Sequence, residues 1–197
     1  MCRICLDRRQ FFRSALAGAA ALAAKPVTAF AQFYPLLCSW SGGWNTGQGL
    51  APGAPIAIQQ VQLIAQAIEF PVPLEVFMGG VPNAAATMIN GPAIVYNPAF
   101  LDSVAFCHPP AAMTILAHEV GHHAMLDTTW AGQWKHPWQK ELGADWVSGL
   151  AMKRLGATLQ DTLSGIQCSF GPFSPASPTH PDSQNRMAAI VQGWQAG

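Results

Sequence analysis

Charge is scarce in this chain: ten basic and ten acidic side chains make up 10% of its 197 residues, against roughly 25% in an average globular domain. No basic stripe is present, so the electrostatic footprint of a nucleic-acid binder is missing. Long apolar runs are lacking too. The run from Ala15 to Ala24 holds ten residues, short of the ~20 that span a bilayer, and no later run is long enough either. No segment repeats at a fixed period, which excludes a solenoid. Tyrosine is nearly absent at two residues, whereas seven tryptophans are present.

The first thirty-one residues contain an ordered pattern. Arg8-Arg9 precede Phe11-Phe12, an Ala/Leu/Gly stretch follows, and Ala29-Phe30-Ala31 closes it. A basic start, a short apolar middle and an A-x-A end form the order of a secretory signal. The paired arginines resemble the twin-arginine export type. We therefore expect residues 1–31 to be a signal peptide and the protein to be exported, to the periplasm or outside, starting near Gln32. Without that segment the chain keeps five basic and nine acidic residues, a net charge of about −4, and three cysteines, Cys38, Cys107 and Cys168. An oxidising compartment permits one disulfide among the three, or none if all are buried thiols, and the sequence leaves the pair open.

Residues 32–55 are rich in Gly, Pro, Ser and aromatics without a steady period, and read as an irregular arm. The remainder, 56–197, reads as one domain. Ile56, Gln60, Leu63, Ile64, Ala67 and Ile68 fall at helical spacing up to Pro71. Short strands are expected at 74–77, 84–89 and 93–96, with Asn90-Gly91 as a strong hairpin signal between the last two. Pro109-Pro110 open a helix reaching about Leu126. A further helix over 138–155 stops at Gly156, a C-terminal cap.

The helix after Pro110 reads ILAHEVGHHAML, with an H-E-x-x-H spelling at His118, Glu119 and His122. Residues four apart share one helical face, so His118 and His122 can hold one metal ion. Glu119, one position round, can reach a water at that ion. Zinc suits the work because it is redox-inert and lowers the pKa of its water towards neutrality. The pentapeptide alone also fits a structural zinc site or a solvated polar face. A catalytic zinc needs a third protein ligand and an open position. An extended pattern with Gly at 125 and His at 128 fails, since those positions hold Met125 and Thr128. The next helix offers Glu141 as the third ligand. Asp145, one turn on, can accept the ring N–H of a zinc histidine. Cys107, or His108 beside it, is an alternative ligand. His123 and His136 read as groups beside the site or on the surface. Trp130, Trp134 and Trp138, spaced by four, are expected to pack rather than form an exposed rim.

HEVGH followed by ELGAD resembles the gluzincin metallopeptidases, and within them the prenyl-protein (CAAX) endopeptidase and heat-shock membrane protease family. PNAAATMINGPAIVYNPAFLD (82–102) is similar to that family's substrate-side hairpin. THPDSQNRMAAI (179–190) is similar to its HP…R element at His180, Pro181 and Arg186. The resemblance covers about residues 56–192 in the family's order. It implies an α+β zincin-like domain, with a metal-binding helix pair beside a small antiparallel sheet. It implies one Zn2+ per chain on His118, His122 and Glu141, with Glu119 as general base. His180 would help stabilise the oxyanion, and Arg186 would pair with an acidic residue such as Asp145. Asn83, Ala84, Ala85 and Ala86 would lie along an extended peptide or unfolded protein substrate. Unlike many family members, the chain has no spanning helix after the signal, which argues against a bilayer-embedded substrate.

Overall fold

A computed structural model describes residues 49–197; the expected signal, Cys38 and most of the arm lie outside them. The elements in order are β1 (Ala51–Pro52), α1 (Pro55–Ala67), β2 (Glu75–Met78), β3 (Ala84–Met88), β4 (Pro92–Tyr96), α2 (Pro98–Cys107), α3 (Ala111–Ala124), a 3-10 turn (Trp130–Trp134), α4 (Pro137–Arg154), α5 (Leu159–Phe170) and α6 (Ser183–Ala196). The architecture is α+β. Among the described residues no helix is long and apolar enough to cross a membrane.

The sheet is mixed, not antiparallel as expected, with strand order β1-β2-β4-β3. Asn90 (φ 55°) and Gly91 (φ 157°) turn β3 into β4 as an antiparallel hairpin, with Ala84 opposite Tyr96 and Met88 opposite Pro92. The connection from β2 is no tight turn. Its five residues, 79–83, carry the chain across to leave one strand's width, which β4 then fills parallel to β2. Asn97 fastens this crossing by donating from its amide to Val81 O at 3.0 Å and from its backbone to Asn83 O at 2.7 Å. As a result β3 is a sheet edge, paired with β4 alone. The tail of the arm contributes β1, which pairs with β2.

α3 is the central element. Every residue of it except Ile115 and Ala124 is buried, so its sequence shows no polar face. Leu116, Ala117 and Val120 lie in one core with Val61 and Ile64 of α1, Ile94 of β4 and Met152 of α4. Such a helix can keep polar groups only where they answer one another, which is how its histidines and glutamate are held.

Three helices were not foreseen, though their caps were present in the sequence. Asn97-Pro98 starts α2, with the Asn97 side chain accepting from Ala99 N. Thr158 and Asp161 form a reciprocal capping box on α5, and Asp182 caps α6. α6 lies along α4 at glycine contacts. A Cβ on Gly193 would sit 1.8 Å from Trp146 O, and one on Gly149 2.1 Å from Ile190 O. This approach carries Arg186 of α6 to Asp145 of α4. Gly193→Ala is expected to force the helices apart at a cost of about 1–3 kcal/mol, read as a lower urea midpoint. A variant as stable as the parent would show that the contact is not this tight.

Candidate metal centre

α3 and α4 bring His118, His122 and Glu141 together, with one ligand atom from each within 4.8 Å of the others and all three residues buried. His118 Nε2 lies 3.4 Å from Glu141 Oε2 and His122 Nε2 3.6 Å from Glu141 Oε1. Ligands about 2.0–2.1 Å from a tetrahedral zinc stand roughly 3.3–3.4 Å apart, so this spacing is close to that of a ligand shell. α3 and α4 meet at Gly121, where a Cβ would lie 2.7 Å from Ala144 O. Only a glycine between the two histidines lets the acidic helix come this near.

The donor chemistry fits a cation. His118 Nδ1 is 2.8 Å from Asp145 Oδ1, and His122 Nδ1 is 3.0 Å from Asp127 Oδ2. An ionised carboxylate only accepts, so each Nδ1 carries a proton, which leaves each Nε2, facing Glu141, as the nitrogen that would ligate a cation. Glu141 Oε2 is buried and accepts no hydrogen bond, which suits an oxygen reserved for a cation. Burial pushes the Glu141 carboxyl up, but His118, Arg186 and His122 outweigh it and hold it well below the usual carboxylate range. It is therefore anionic and ready to ligate.

Each carboxylate behind a histidine is itself braced. Arg186 donates to Asp145 from Nε at 2.7 Å and from Nη2 at 2.8 Å, a two-point ion pair in which both partners are buried. Burial pushes Asp145 up, yet Arg186 and then His118 win and lower its pKa. Asp127 is 1% exposed and receives Lys135 Nζ at 2.7 Å. Asp127 was missed from the sequence. No motif marks it: Leu126, a residue that gives no turn signal, adopts φ 61°, a left-handed turn that ends the helix and folds the next residue back onto His122.

Glu119 is 2% exposed. Its Oε2 accepts the Ala86 N–H of β3 at 2.7 Å, which ties this carboxylate to the sheet edge. Ala84 and Ala85 are buried on the same strand, and Asn83, just before it, is buried with an Oδ1 that accepts no hydrogen bond. His180 is buried, with Nε2 3.8 Å from Glu141 Oε2 and Nδ1 2.8 Å from Thr179 Oγ1.

Several side chains stand elsewhere than expected. Cys107 is bonded to Cys168 and supplies no thiolate to a metal, and His108 is paired with Asp161 at 3.0 Å. His123 is no surface group. It is buried between Ala93 O at 2.9 Å and Thr128 Oγ1 at 3.0 Å, and burial lowers its pKa. His136 caps α4. The tryptophans do not all pack: Trp130 and Trp134 are 76% and 84% exposed, while Trp138 donates its indole N–H to Ser177 O. Here the turn presses Gly132 onto the Asp127 backbone, where a Cβ would clash at 2.2 Å. With the glycine facing inward, its two flanking indoles face out.

No protein-family model matches the chain, and neither a curated protein nor a solved structure matches it.

Proposed function

We propose that this chain is a zinc-dependent endopeptidase of gluzincin type, acting on extended or unfolded polypeptides in the cell envelope. The observation that carries the reading is the orientation of the donor set. Two imidazoles, each fixed at Nδ1 by a buried carboxylate, and an anionic glutamate converge on one point, with a fourth acid, Glu119, beside them on α3. A purely structural site would not need that extra carboxylate.

His118, His122 and Glu141 would hold the Zn2+, which when bound would supply Lewis acidity and bring the pKa of water towards neutrality. Glu119 takes the proton of the attacking water and passes it to the leaving amine. His180 Nδ1 is 2.8 Å from Thr179 Oγ1; in the tautomer where that hydroxyl donates, Nε2–H is left to donate to the oxyanion. Asp145 and Asp127 keep both histidines in the ligating tautomer, and Arg186 keeps Asp145 ionised. The outer edge of β3, apart from the Ala86 N–H that Glu119 takes, would offer backbone groups to an extended peptide by strand addition. Glu119 is held by the Ala86 N–H of that same edge, so base and peptide track are positioned together. The Cys107–Cys168 bond supports export, since such bonds persist in oxidising compartments. The expected signal in residues 1–31 is the route.

The direct test incubates the purified protein with unfolded casein. Fragments are expected with zinc present and none after chelation, with activity restored by added Zn2+. Fragments that persist in chelator would end the metal reading.

A further inference from the structure

We infer that the residue contributing the leaving amine must have a small side chain, alanine or serine, so that the enzyme cuts immediately before small residues. This deepens the endopeptidase reading and rests on it.

Beside Glu119 and His118 lies a cavity of about 20 Å³, room for one water-sized body. Its other walls include Phe100, Ile166 and Phe170, with Asn83 among the lining. His122, Glu141 and His180 take no part in it, so it lies on the Glu119 side of the ligand set. Glu119 is the group that returns the proton to the leaving nitrogen. The residue bearing that nitrogen therefore sits over the cavity, and its side chain enters. A methyl or hydroxymethyl group matches the space, whereas the branches of leucine or the ring of phenylalanine do not.

The walls have little freedom to give way. A Cβ on Gly165 of α5 would already lie 2.9 Å from the Thr114 side chain of α3 and 3.6 Å from Ala111 O, so the two helices are closely packed. The Cys107–Cys168 bond fastens the end of α5 to α2. Ile166 is 3% exposed, and the open space it borders is the cavity itself. Asn83 is a second pointer to a ligand. It is 6% exposed and its Oδ1 accepts no hydrogen bond, an acceptor for the incoming residue's N–H or a serine hydroxyl. An acceptor buried without a donor is costly, and a bound peptide removes that cost.

The test begins with the fragments of a zinc-loaded casein digest, whose first residues are read by mass spectrometry. Alanine, serine and glycine are expected to dominate. The best cut is then made into a peptide series with Gly, Ala, Ser, Val, Leu or Phe after the scissile bond. The kcat/KM for Leu and Phe should fall at least about tenfold below Ala, the lower end of what a misfitted methylene costs in an apolar pocket. The same peptides titrated calorimetrically onto zinc-loaded Glu119→Gln protein should rank in the same order. Ile166→Ala, or the milder Ile166→Val should the first fail to fold, should raise Leu relative to Ala. Zinc-dependent cleavage with Leu equal to Ala would overturn the size rule and leave the endopeptidase reading standing. Zinc-loaded protein that neither cuts casein nor binds any peptide of the series would sink both.

Discussion

Glu119→Gln is expected to lower peptide hydrolysis by roughly 100- to 10,000-fold, the range general acid–base catalysis supplies, while zinc content stays at one ion per chain. Glutamine keeps the length of the side chain and its carbonyl can still accept the Ala86 N–H now held by Oε2. It cannot take a proton from water. Ligands, helix and sheet edge are left as they were, so the variant isolates the base. Zinc analysis and a peptide assay on the same preparation decide the outcome. If Glu119→Gln cleaves at the parent's rate, Glu119 is not the base and the mechanism fails. His180→Ala serves as a scale, with a loss of about 100- to 1,000-fold for one oxyanion donor.

The second large effect concerns Glu141. Glu141→Ala is expected to lose the metal, with a fall in zinc affinity beyond the 10- to 100-fold typical of removing a carboxylate that only braces a ligand. The physical reason is that, among the described residues, Glu141 is the acid whose oxygens face both Nε2 atoms. Asp145 and Asp127 are committed to the Nδ1 atoms behind. Melting gives a readout independent of activity. Zinc at a thousand times its Kd stabilises a folded binder by about 4 kcal/mol, and each kcal/mol moves the melting temperature by roughly 2–4 °C at this size. The parent should show that rise, and Glu141→Ala should not. Glu141→Gln guards against misfolding, since it fills the same volume with a weaker ligand. Undiminished zinc affinity in both variants would remove Glu141 from the site.

The helix pair was legible because its chemistry is local. His118 and His122 share a face by spacing alone, and Glu141 and Asp145 repeat that spacing on the next helix. The Asn90-Gly91 hairpin was legible for the same reason, since left-handed turns need those residues. Hydrophobic periodicity does not mark the buried face of α4. The buried face runs through Glu141, Ala144, Asp145 and Ser148, while Trp146 is 37% exposed. A face that ligates can be buried without being apolar, provided every charge meets a partner.

What the sequence by itself determined is the donor inventory and its helical phase: two imidazoles, a base beside them, and an acid pair on the following helix. The tertiary structure decided everything that depends on separation through space. It chose Cys107–Cys168 among the cysteines and set β4 between β2 and β3, making β3 an edge. It also brought Asp127 beneath His122 and turned Trp130 and Trp134 outward. It likewise set the close approaches at Gly121, Gly132, Gly149, Gly165 and Gly193. A glycine's place in the chain says that a neighbour can come near, and only the packed fold says which neighbour does.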